Sequence, residues 1–116
     1  MKGKLGDKPR LLHISDAIME IEYYTTGVDF HTFQNNSMMR FATIKQIEII
    51  GEAANMITEE TKNQFKNIDW HKIIGMRHIL VHEYFGVDND VIWQVITEHI
   101  PKLKTEVQQM IKLIDK

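Results

Sequence analysis

No cysteine occurs among the 116 residues, which excludes disulfides and thiolate metal sites. There is also no apolar run near the roughly 20 residues that a membrane-spanning helix needs. The first ten residues, MKGKLGDKPR, are polar where a signal peptide would carry an apolar core, so a cytoplasmic protein is expected. An excess of one charge is missing too. Fourteen Lys and Arg stand against sixteen Asp and Glu, a formal net charge of −2, which argues against a broad clamp on nucleic acid but leaves room for a small basic site. No stretch keeps up two-residue alternation, and no repeat or low-complexity segment is visible. Composition does not shift along the chain, so one domain over residues 1–116 is expected, with 1–9 as an N-terminal arm.

What the chain does carry is helical periodicity. Leu11, Ile14, Ala17, Ile18, Ile21 and Tyr24 recur at three- and four-residue steps, with Asp7 and Pro9 as start signals and Gly27 as the stop. This predicts a first helix over roughly residues 8–26. A loop over Val28–Asn36 supplies Asn and Ser caps for a longer second helix reaching about Lys62. Its apolar residues lie nearly all round, leaving one polar strip of Lys45, Glu48, Glu52 and Asn55, the pattern of a central and most buried helix. Asp69 caps a third helix running from Trp70 to about Phe85, where Gly86 ends it. The last segment starts near Asp88 or Asp90 and keeps one helical phase through Ile92, Ile96, Leu103, Val107, Met110 and Ile114. Pro101 removes a hydrogen bond to the Thr97 carbonyl, so this helix should bend or split there. The expected fold is all-α, an up-and-down bundle of four main helices.

The third helix holds a contradiction of polarity. At about 100° per residue, Ile73, Ile74, Leu80, Val81 and Tyr84 cluster on one side, and Arg77 falls in the middle of them. His71, Gly75, His78 and His82 gather on an adjacent strip. Taken alone, Arg77 fits a buried ion pair with Glu48 or Glu52, because an unpaired buried charge is very costly. His78 and His82 taken singly fit ordinary surface histidines, and Tyr84 a half-buried aromatic at a helix end. A zinc site with His71 as third ligand is the weaker reading: the strip has no carboxylate and the chain no cysteine. No metal or cofactor is therefore expected. Trp70 and Trp93 read as core anchors, the seven methionines as gap-fillers, and Lys2, Lys4, Lys8 and Arg10 as a solvated basic tail.

Arginine and histidine without a metal suit cleavage of an RNA phosphodiester by the neighbouring ribose hydroxyl. That reaction needs a base for the hydroxyl proton, an acid for the leaving oxygen and a cation on the charge that develops at phosphorus. Histidine, with an unperturbed pKa of about 6.5, moves protons near neutrality. Arginine stays charged and offers a planar fork to phosphate oxygens. Five residues along a helix turn Arg77 and His82 roughly 140° apart, so they do not converge on one straight helix. Either the helix distorts near Gly75 or the site combines two subunits.

The segment Arg77, His78, His82 and Tyr84 resembles the signature of the HEPN superfamily, in its HepT-like branch. The resemblance takes in Ile50-Gly51-Glu52-Ala53-Ala54 on the second helix, Trp70 ahead of the third, Tyr84-Phe85-Gly86-Val87-Asp88 after it, and Trp93 before Pro101, and it runs from about Leu11 to Leu113. His78 takes the place of the asparagine most usual at that position. The resemblance implies a homodimer with the motif at its interface and metal-independent endoribonuclease activity. It also implies the role of a toxin, with RNA as substrate and an MntA-type nucleotidyltransferase antitoxin that transfers AMP onto Tyr84. On this basis Arg77 would hold the phosphate and His82 would act as base or acid. His78 would give polar support, Glu52 would orient Arg77, and Tyr84 would be substrate contact and modification site. The alternative is a non-catalytic helical binding subunit of a nucleotidyltransferase.

Overall fold

The computed structural model describes residues 6–82 and 88–114, without the side chains of 78–82. Helix α1 spans Asp7–Thr25, α2 Phe30–Gln34, α3 Ser37–Met56, α4 Glu59–Gln64, α5 Trp70–His82 and α6 Asn89–Gln94; a π-helical turn over Val95–His99 then leads into α7, Ile100–Ile114. The fold is an all-α bundle of four main helices, α1, α3, α5 and the compound α6–α7, with α2 and α4 as short helices in the connections. Helix α3 packs against both α1 and α5, and α7 packs against α1.

Short-range signals account for most element ends. Gly27 takes a positive φ of 74° after α1, a conformation that other residues adopt at a cost. Asn36 caps α3 by accepting from the Met39 N–H at 3.0 Å, and Asp69 caps α5 by accepting from the Lys72 N–H at 3.0 Å. Asp88 accepts from the Asp90 N–H at 2.8 Å where α6 begins. The apolar stripe of α1 is buried as its spacing predicts, with Leu11, Ile14, Ala17, Ile18 and Ile21 in the core beside Ile47, Ile50 and Ala54 of α3 and Val107 and Met110 of α7. Lys104 on α7 donates to Glu22 on α1 at 3.0 Å. Phe33 of α2 is buried and its ring centroid lies 5.2 Å from that of Trp93, so Trp93 is a core anchor. The indole N–H of Trp70 donates to the Phe65 carbonyl at 3.1 Å.

Pro101 is accommodated by a change of helix type. Just before it, the Ile100 N–H reaches back five residues to the Val95 carbonyl, a π-type bond, and the chain stays helical into α7. The last helix is thus compound near Pro101, as the interrupted hydrogen bonding predicts.

Three expectations need correction. The second helix does not reach Lys62: α3 ends at Met56, and Ile57 and Thr58 are extended (ψ 140° and 153°) before α4 begins. The cause is Asp7, fully buried, whose carboxylate accepts from the Thr58 N–H at 3.0 Å, the Thr58 hydroxyl at 2.6 Å and the Thr61 hydroxyl. Asp7, Lys8 and Pro9 form the first turn of α1, and residues 1–5 of the expected arm lie outside the described residues. The loop expected over Val28–Asn36 contains α2, capped by Asp29. Helix α3 is central in its packing but not buried all round: Met38 and Phe41 are 81% and 67% exposed. The end of the third helix near Phe85 and Gly86 lies outside the described residues.

Candidate functional site

Arg77 is placed by a crossing of two helices. It sits two turns into α5, on the side that faces α3, and is partly buried there. Opposite it stands Gly51, which is buried; a Cβ added to Gly51 would lie 2.7 Å from the Cβ of Arg77, 3.6 Å from its Cα and 3.4 Å from the Ile73 carbonyl oxygen. No real side chain fits in that gap, so the backbones of α3 and α5 approach as closely as they do because residue 51 has no side chain. The apolar flank of Arg77 is Ile73, buried, with Ile74 and Met76 partly so. Leu80, Val81 and Tyr84, the other residues of the expected apolar side, have no described side chains.

Of the two carboxylates singled out as neighbours for Arg77, Glu48 lies 4.0 Å from Lys45 one turn earlier on α3. Glu52 is exposed and lines a cleft between α1 and α3 together with Arg10 and His13. That cleft is about 390 Å³ in volume, and its lining includes Ile49, Ala53 and Met56. Arg10 therefore belongs to α1 and a concave surface, not to a free basic tail.

His78 and His82 are on the α5 backbone, which is α-helical without interruption from Trp70 to His82, Gly75 included. Their side chains lie outside the described residues, as does Tyr84 altogether. His71, on the same strip, is exposed. Among the described residues, no group of three His, Cys, Asp or Glu side chains is set to hold a metal ion. No helix among them is long and apolar enough to cross a membrane.

Sequence reasoning missed two contributors. Gly51 carried a signal, a glycine inside an otherwise apolar helix, which lowers helix stability by about 1 kcal/mol relative to alanine and so asks for a packing reason. His13 carried none: a lone histidine on a helix surface gains meaning only when a second helix is laid beside it.

Comparisons with known proteins point to one family. The family model described as "Ribonuclease HepT-like" matches residues 14–110. The chain is 38% identical over 106 residues to "Putative RNase MJ1380" of Methanocaldococcus jannaschii, covering 91% of this chain and 97% of that one. It is 38% identical over 109 residues to "Probable ribonuclease HepT" of Thermococcus cleftensis, covering 94% and 99%. No solved structure gives a significant match.

Proposed function

The chain belongs to the HepT-like family of the HEPN superfamily, and from that membership and the setting of Arg77 we propose that it is a metal-independent endoribonuclease and the toxin of a toxin–antitoxin pair. In the proposed reaction the ribose 2′ oxygen bonds to phosphorus as its proton passes to a base. The bond from phosphorus to the 5′ oxygen breaks as that oxygen gains a proton, leaving a cyclic phosphate and a 5′-hydroxyl. His82 is assigned to proton transfer and Arg77 to the phosphate and its developing charge. His78 gives polar support, and Glu52, next to Gly51 on α3, is assigned a supporting role.

The observation that carries this reading is the uninterrupted course of α5 through Gly75, with Arg77 turned toward α3. A regular helix keeps the Cα–Cβ directions of Arg77 and His82 about 140° apart. The absence of a distortion at Gly75 supports a homodimer in which Arg77 of one protomer meets His82 of the other. Two guanidinium groups brought to one cleft also supply a local positive charge within a chain of net charge −2.

Tyr84, two residues beyond His82, is proposed as the site where an MntA-type nucleotidyltransferase antitoxin adds AMP. The adduct would place bulk and negative phosphate beside the arginine meant for RNA, and so shut the site.

The test is cleavage of a defined single-stranded RNA by unmodified protein in the presence of a chelator. Arg77→Ala and His82→Ala should each lower the rate by about 100-fold or more. Equal cleavage by all three proteins, or none by folded wild type free of AMP, would sink the nuclease reading and favour a non-catalytic subunit of a nucleotidyltransferase. Mass spectrometry after co-expression with such an enzyme should find AMP-sized adducts on Tyr84; adducts only elsewhere would refute the switch.

A further inference from the structure

We propose that the cleft between α1 and α3 is a second substrate subsite, which holds one nucleotide of the single-stranded RNA a short way along the strand from the scissile phosphate. This rests on the nuclease reading above, and it adds Arg10 and His13, which that reading does not use, to Glu52, which it does.

The cleft has the size and lining of a small-ligand site. Its volume of about 390 Å³ lies inside the range of roughly 300–1,000 Å³ typical of such pockets. Its lining combines apolar side chains, Ile49, Ala53 and Met56, with charged or ionisable ones, Arg10 and His13 from α1 and Glu52 from α3. Among the described residues, the side chains of Arg10, His13 and Glu52 make no hydrogen bond or ion pair, so all three are available to a ligand. A nucleotide matches each part. Its flat base lies on aliphatic and thioether groups, which pack well against aromatic faces. The guanidinium fork of Arg10 suits a phosphate, with His13 as a second donor. The Glu52 carboxylate accepts from N–H groups on the edge of the base, and guanine offers two side by side.

Position links this cleft to Arg77. Glu52 and Ala53 directly follow Gly51, the residue against which Arg77 packs. At about 100° per residue Glu52 lies a quarter-turn or so round α3 from Gly51, and Ala53 lies further round, so the cleft and Arg77 are on different sides of one helix about 10 Å across with its side chains. A strand crossing the exposed face of α3 at this level would meet Arg77 with one phosphate and the cleft with a nucleotide a step or two along. It would also explain how a chain with no broad basic face could hold RNA: two compact sites take the place of a charged surface.

The experiment compares wild type, Arg10→Ala and His13→Ala. Both substitutions are at solvent-accessible positions of α1, and circular dichroism confirms folding. In protein that cuts RNA, KM and kcat for a mixed-sequence oligoribonucleotide decide. Arg10→Ala should raise KM about tenfold with kcat nearly unchanged, the signature of a binding contact away from the reacting bond, and His13→Ala should do so more weakly. Unchanged KM in both, or a fall in kcat alone, overturns the subsite while the nuclease reading stands. In protein that does not cut RNA, titration with 5′-GMP decides, read at the Met56 methyl resonance. A shift in wild type that Arg10→Ala weakens supports the cleft although the nuclease reading has failed; no shift overturns the cleft.

Discussion

Gly51 and Arg77 mark a point where α3 and α5 nearly touch: a Cβ on residue 51 would stand 2.7 Å from the Cβ of the arginine. The residue assigned to the phosphate is therefore seated by the absence of a side chain on the neighbouring helix. The Ile73 carbonyl oxygen and the Arg77 Cα lie 3.4 and 3.6 Å from the same point, so the atoms facing Gly51 are backbone or fixed to backbone rather than the end of a flexible side chain.

Gly51→Ala should accordingly separate the two helices. Alanine gains about 1 kcal/mol of helix propensity, but the overlap involves atoms fixed to backbone, and overpacking of that kind costs about 1–3 kcal/mol. The net expectation is a less stable protein by urea unfolding, with RNA cleavage reduced further than the stability loss alone explains. A more stable variant with full activity would contradict the seating of Arg77 described here.

Asp7 ties the start of α1 to the start of α4. Asp7→Ala would strip three donors from a buried site, the Thr58 N–H and the hydroxyls of Thr58 and Thr61. A loss of about 3 kcal/mol is expected, since charge-assisted bonds go and buried donors stay unmatched. Denaturant unfolding measures it, and a change below about 0.5 kcal/mol would show that the brace is not a stabilising element.

Thr43 should respond in the opposite direction. Its hydroxyl is buried and has no hydrogen-bond partner among the described residues. Thr43→Val keeps the shape and removes the orphaned oxygen, so stability should rise by about 1 kcal/mol. The readout is a higher urea midpoint at unchanged slope; a lower midpoint would mean that the hydroxyl is satisfied in solution.

Asp29 links α2 to pH. The backbone N–H of Thr32 donates to its carboxylate at 2.8 Å and holds the carboxyl below the ordinary aspartate value, helped by the nearby His31. A depressed carboxyl pKa means that the folded state prefers the charged form. The cap therefore contributes stability above the unfolded pKa and loses it as pH falls through the lower folded one. Carboxyl resonances followed by NMR should show Asp29 titrating below free aspartate, with the Thr32 amide moving at the same midpoint. A midpoint at or above the ordinary value would reject the cap as its cause.

The sequence showed the helices better than it showed their ends and neighbours. The stripe from Leu11 to Ile21, the caps at Asn36 and Asp69 and the stop at Gly27 were legible because each depends on residues within one turn. The break after Met56 was not, because the group that stabilises it, Asp7, is 51 residues away from Thr58. Exposure of Met38 and Phe41 was equally hidden, since an all-round apolar helix is buried only where other helices cover it.

By itself, then, the sequence determined the helical class, the polarity anomaly at Arg77 and the family signature around it, all readable from spacing along one chain. Tertiary structure alone decided that Gly51 is the seat of Arg77 and that Arg10 and His13 share a cleft with Glu52. The physical reason is one of range. Periodicity and capping act over a few residues, whereas steric contact and shared solvent access depend on which faces of α1, α3 and α5 the bundle brings together.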